Sequence, residues 1–145
     1  MQIPTIILLT LIFQKKVVYI AFSIYIILGL FVLPVFHQGG SIGYLLTPNF
    51  GYLLGSYPLI KIIDNLNTRN KLNVGNFLKN GFIAIGAMHL SGIFYNLIQI
   101  IFYSQFNLFL YNLGKYSLGK IGYHFLMLFP LLLLIKPIEH LKRSE

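Results

Sequence analysis

Residues 34–55, PVFHQGGSIGYLLTPNFGYLLG, carry glycine at five positions and proline at two, and not one formal charge. A soluble loop of that length would hold Lys, Glu or Asp, and a plain membrane span would not hold Gly39, Gly40, Gly43, Pro48, Gly51 and Gly55 so close together. Irregular backbone at membrane depth survives only where it is buried in protein or lines a cavity. Glycine there also lets main chain approach a ligand closely. The stretch therefore predicts the wall or lid of a small-molecule pocket between transmembrane helices.

The flanking sequence supports the same setting. Of the 145 residues, 57% are hydrophobic and 10% charged, against roughly 25% charged in ordinary soluble domains. Mean hydropathy is +0.76. The expected fold is an all-α integral membrane protein, a single membrane domain over residues 1–145. Its bundle has about five transmembrane helices, near residues 3–13, 17–36, 44–63, 81–103 and 121–135, the first only part of a helix. Spanning the hydrocarbon core takes about 20 apolar residues. The first apolar run has no preceding basic residue and no small-residue cleavage site after it, unlike a signal peptide.

The net charge of +8 is distributed as a membrane topology signal. Lys15, Lys16, Lys61, Arg69, Lys71, Lys79, Lys136, Lys142 and Arg143 are nine of the eleven basic residues, and all flank apolar runs. Cytoplasmic connections collect Lys and Arg, so the 64–80 connection and the C-terminus are expected inside and the glycine-rich segment outside. Residues 104–119 are expected as an outer connection, and Lys115 and Lys120 in and beside it depart from the rule. No basic stripe with interleaved aromatics offers a nucleic-acid surface, so no nucleic-acid partner is expected.

Within residues 81–103 the polar residues share a face. At about 100° per residue, His89, Gly92, Asn96, Gln99 and Tyr103 fall within roughly 80° of one another. Polar side chains inside a membrane are costly and mark functional positions, and the plainer alternative is hydrogen bonding between helices. His89 is the titratable group of that span and the better candidate for facing a ligand. Gly51 and Gly55 form a GxxxG pair that reads either as close helix packing or as ligand approach. Asn49 and Tyr52 flank it where loop becomes helix, a point at which free N–H groups suit a carboxylate.

Catalytic groupings are missing from the apolar runs. Asp and Glu occur only in the 64–80 connection and the C-terminal tail, so paired acid–base groups and a Ser-His-Asp triad are not available in the membrane. The four histidines lack close helical spacing and acidic or cysteine partners, so no metal and no cofactor is expected. No Walker A motif is present. The chain is expected not to be an enzyme, and any ATP-driven step would need another subunit.

The segment YIILGLFVLPVF (Tyr25 to Phe36), a glycine cluster and TPNFGYLLG (Thr47 to Gly55) resemble the BioY family of biotin transporters. In that family a helix ending in GLPVF precedes glycines and GPTGGYLLGF. The likeness runs through Tyr25, Gly29, Leu33, Pro34, Val35 and Phe36, and resumes at Pro48, Gly51, Tyr52 and Gly55. It is strong over about residues 2–60, taking in Gln2 and Lys16, and weaker beyond. HLSGIFYNL (His89 to Leu97) resembles an HxxGxxYL variant of cyanobacterial and plastid-type members.

The resemblance implies a substrate-binding S component of an energy-coupling factor transporter, working with a transmembrane coupling subunit and ATPase subunits. It implies biotin as the transported substrate and residence in the cell (plasma or inner) membrane, with a plastid membrane as the alternative. The C-terminus would be cytoplasmic. Family members have six helices, and this chain begins where the second stands, so a bundle lacking the first helix is expected. The family's GPTGG has become Thr47-Pro48-Asn49-Phe50-Gly51. Its acidic ureido-contacting segment is matched by His124-Phe125-Leu126-Met127-Leu128-Phe129, which holds no acid. Substrate-binding candidates are Gly39, Gly40, Asn49, Gly51, Tyr52, His89, Asn96 and Gln99, with no catalytic and no metal residues. Two alternatives stay open: a structural or degenerate membrane subunit without solute binding, and an S component for another vitamin.

Overall fold

The computed structural model describes residues 2–36, 39–68, 72–103 and 106–143; Arg69 and Lys71 of the inner basic connection, and His37, lie outside them. The described residues form helices and turns, with no strand among them. Helix α1 (Gln2–Ile12) accepts Pro4 in its first turn, where no backbone N–H is missed. It buries Ile3, Ile6, Ile7 and Leu11 along one face. Thr10 is fully buried beside them and donates its hydroxyl to the Ile6 carbonyl at 2.7 Å, so its polar group is satisfied inside the helix.

Helix α2 (Lys15–Phe31) buries Val18, Phe22, Ile26 and Gly29, one stripe at helical spacing. Its opposite face exposes Val17, Ile20, Ile24, Ile27 and Phe31 rather than polar residues, as a helix facing hydrocarbon does. The helix ends before Pro34, with the Val32 and Leu33 amides both donating to the Leu28 carbonyl. The chain then folds back on itself. A Cβ on Gly40 would strike the Gly29 and Leu33 carbonyls, and Gly39 has φ of +100°, so this return requires glycine.

A 3₁₀ turn (Ile42–Leu46) leads into α3 (Pro48–Leu54) and α4 (Ser56–Thr68). These two are nearly continuous, with the Gly55 amide bonded back to the Gly51 carbonyl at 3.0 Å. Helix α5 (Val74–Tyr103) has 30 residues, about 45 Å at 1.5 Å per residue. Both α3 and α4 pack along it, the most extensive contacts among the described residues. Gly51 seats against Tyr95, Gly92 against Tyr52, and a Cβ on Gly55 would lie 2.6 Å from the Met88 carbonyl oxygen. The close-packing reading of the GxxxG pair therefore describes its surroundings.

Residues 106–143 run as α6 (Phe106–Asn112), a π-helical turn (Leu113–Leu118), α7 (Gly119–Leu126) and α8 (Leu128–Arg143). The stretch 106–119, expected as an outer connection, is thus helical. The stretches Val74–Ile101 and Phe106–His140 are long and apolar enough to cross a membrane, and Ile3–Ile12 is a shorter apolar helix. At the end of the bundle carrying α2's first turn, Lys15 pairs with the buried carboxylate of Asp64 at 3.1 Å.

Candidate functional site

A cavity of about 470 Å³ opens between α1, α3, α5 and α7, within the 300–1,000 Å³ usual for small-molecule sites. Helix α1 supplies Ile3 and Pro4, α3 supplies Asn49, Tyr52 and Leu53, and α5 supplies Met88. Ser56 lies at the start of α4 and Tyr44 in the 3₁₀ turn. The far wall comes from Tyr116, Lys120, Tyr123, His124 and Met127. The lining is aromatic and apolar with a few polar groups, and includes no acid.

Local sequence explains how these groups are held. Tyr44 belongs to a series of ring contacts: Tyr25 to Phe36 at 5.5 Å, Phe36 to Tyr44 at 4.5 Å, Tyr44 to Phe50 at 6.4 Å and Phe50 to Tyr95 at 5.8 Å. These contacts pin the turn between α2 and α5. Two bonds from α5 secure it further: Tyr95 donates its hydroxyl to the Leu45 carbonyl, and Gln99 donates its amide to the Leu46 carbonyl at 2.9 Å. The Tyr52 ring sits directly against Gly92, where any larger residue would displace the ring from its place beside the cavity.

The polar stripe of α5 divides in its duties. His89 is 2% exposed and stands one layer behind the cavity. Its Nε2 meets His124 Nδ1 at 3.0 Å, its Nδ1 meets Ser117 Oγ at 3.4 Å, and the Tyr52 ring lies edge-on at 5.6 Å. Asn96, 3% exposed, donates its amide to the Gly92 carbonyl of its own helix at 2.8 Å, while its Oδ1 is buried without a hydrogen-bond partner. Gln99 secures the turn, and Tyr103 ends the helix.

Of the sequence candidates, Asn49 and Tyr52 line the cavity, and His89 reaches it through His124. Gly51 lies under Tyr95 as a packing residue. Gly40 lines a separate hollow of about 410 Å³ between the end of α2 and Gly43, and Gly39 lines neither space. Sequence reasoning missed Tyr116, Ser117, Lys120, Tyr123 and His124. Two signals pointed to them: a histidine in an apolar run, and the two lysines that broke the topology pattern. Lys120 Nζ stands 5.1 Å from the centre of the Tyr116 ring, and Lys115 Nζ 5.3 Å from the same ring, a cation–π arrangement. Among the described residues no group of three or more His, Cys, Asp or Glu could hold a metal.

No solved structure matches the chain. Over 43 residues it is 54% identical to a protein of Lysinibacillus sphaericus described as a probable biotin transporter, BioY. That stretch covers 30% of this chain and 19% of the relative, so the likeness spans less than a fifth of that protein's length. The BioY family itself matches over residues 1–130, taking in α1, α2, the glycine-rich return, the cavity and the helices around it, and the chain belongs to this family.

Proposed function

We propose that the chain binds biotin in the cavity between α3 and α7, as the substrate-binding part of a biotin uptake system in the cell membrane. The observation that carries this reading is the cavity, walled by aromatic and aliphatic side chains and dotted with neutral polar groups, in a member of the BioY family. Biotin is a small acid with a neutral ureido ring, a thiophane ring and a valeryl chain. Asn49, His124 and the Tyr52 hydroxyl are suited to the ureido ring. Tyr44, Leu53 and Met88 suit the thiophane ring and the chain. Lys120, held over Tyr116, offers a charge to the carboxylate without placing a bare cation deep in the bundle. Gly39, Gly40, Gly51, Asn96 and Gln99 then support the wall rather than touch the ligand. Movement of the vitamin across the membrane would need a coupling subunit and ATPases, because the chain has no Walker A motif of its own.

Equilibrium binding of tritiated biotin to the purified chain in nanodiscs tests the reading. Saturable binding that unlabelled biotin competes away is expected. Lys120→Gln should weaken binding about tenfold, the value of one charge-assisted contact. A chain that binds no biotin, and that supports no uptake in a biotin auxotroph supplied with coupling and ATPase subunits, would be a membrane subunit without a solute.

A further inference from the structure

Two cavity-lining groups, Tyr52 and His124, are connected to each other behind the wall. The Tyr52 hydroxyl meets Ser117 Oγ at 2.6 Å, Ser117 Oγ meets His89 Nδ1 at 3.4 Å, and His89 Nε2 meets His124 Nδ1 at 3.0 Å. The two middle members are buried, Ser117 at 3% and His89 at 2% exposure, and the two ends line the cavity. Four helical elements contribute one group each: α3, the π-helical turn, α5 and α7.

Neutral imidazole carries one N–H, and the roles of its two nitrogens are opposite. The chain therefore has two self-consistent polarities. In the first, the Tyr52 hydroxyl donates to Ser117, Ser117 donates to His89 Nδ1, and His89 Nε2–H donates to His124 Nδ1. His124 then offers its Nε2–H as a donor, and the Tyr52 oxygen is left as an acceptor. In the second, every bond reverses. His124 Nδ1–H donates to His89, His89 Nδ1–H donates to Ser117, and Ser117 donates to the Tyr52 oxygen. His124 Nε2 becomes an acceptor and the Tyr52 hydroxyl a donor. Either way the ends have opposite character, and no proton is gained or lost. A broken or mixed arrangement would leave a buried polar group unsatisfied, which costs about 1–3 kcal/mol, so the four groups switch together.

We infer that Tyr52, Ser117, His89 and His124 form one reversible hydrogen-bond chain whose two ends recognise a neutral ligand group carrying both an N–H and a C=O, as a cyclic urea does. This rests on the biotin reading for the identity of the ligand but not for its chemistry. Tyr52 and His124 are the ligand-contacting ends. Ser117 and His89 are positioning residues that set the polarity of the ends without touching the ligand.

The test uses the full chain in nanodiscs with ¹⁵N-labelled histidine, whose ring-nitrogen signals report which nitrogen holds the proton. In the wild type, biotin should drive His89 and His124 together into one tautomeric pattern. Ser117→Ala, which removes the central link, should uncouple the two rings and weaken biotin binding about tenfold; Ser117→Thr, which keeps the hydroxyl, should preserve both properties. Tyr52→Phe, which keeps the ring over Gly92, serves as a second break in the chain and should likewise abolish the coupled response. Ring signals that ignore biotin when it binds, or that respond identically in wild type, Ser117→Ala and Tyr52→Phe, would overturn the inference. Should the wild type bind no biotin, the biotin reading falls, and 2-imidazolidinone, the bare cyclic urea, becomes the probe. A coupled response to it, lost in Ser117→Ala, upholds the chain; no response rejects it.

Discussion

A single hydrogen atom decides several contacts in this molecule. At Gly51 the missing side chain lets α3 rest on Tyr95, and at Gly92 it gives Tyr52 its seat beside the cavity. Gly86, on the same helix as Gly92, has nothing within 4 Å of where a Cβ would stand. The same substitution should therefore have opposite signs at the two kinds of site. Gly51→Ala should destabilise by about 1–3 kcal/mol, the usual cost of overpacking. Gly86→Ala should be neutral or stabilise by about 0.5–1 kcal/mol through helix propensity. Thermal unfolding in a common detergent measures both, and a loss of similar size at each would show that packing is not what the glycines serve. The glycine and proline pattern made these close approaches legible, but which glycine meets a helix and which meets empty space was not. That depends on the rotation of α3 about its own axis, which Tyr95 and Met88 fix from a distant part of the chain.

Between elements, the glycine-rich return is held from outside by α5. Tyr95 and Gln99 each donate to a carbonyl of the turn, at Leu45 and Leu46, and both acceptors are backbone groups that α3 does not use. Removing both donors, as Tyr95→Phe with Gln99→Ala, should loosen the turn while leaving α5 intact. Amide hydrogen exchange across residues 39–47 should rise, with protection of residues 81–98 unchanged; unchanged exchange at the turn would mean the ring series alone holds it. The polar face of α5 was readable from its 3.6-residue spacing, because His, Asn and Gln cannot face lipid. The helix at 106–119 was not, because Lys115 and Lys120 read as the charges of a connection. In the folded protein they lie along the rings of Tyr111 and Tyr116, and long stems carry such charges outward, so a helix tolerates them. With that helix misread as loop, Tyr116 could not be assigned to the cavity wall nor Ser117 to the hydrogen bonds behind it. His124 stood in the expected 121–135 helix, with nothing in its local pattern to turn it toward a ligand.

For the molecule as a whole, the question is which way it sits in the bilayer, and its charges give a physical answer. Lys15, Lys16, Lys61 and Lys79 lie around the end of the bundle where Lys15 meets Asp64, and the glycine-rich return begins a full length of α2 away. Positive flanks are retained on the cytoplasmic side, so the return should face outward and present the neighbouring cavity to arriving solute. The natural absence of cysteine makes this directly measurable. Ser41 and Asn73 are both exposed, on the return and at the start of α5. In intact cells a membrane-impermeant maleimide should label Ser41→Cys at once and Asn73→Cys only after permeabilisation. The reverse pattern would put the cavity-bearing end inside, and capture of vitamin from outside would then be untenable for this chain. Equal labelling of both before permeabilisation would mean that α2 does not cross the membrane. Its uniformly apolar exposed face, from Val17 to Phe31, would then need a protein partner instead of lipid.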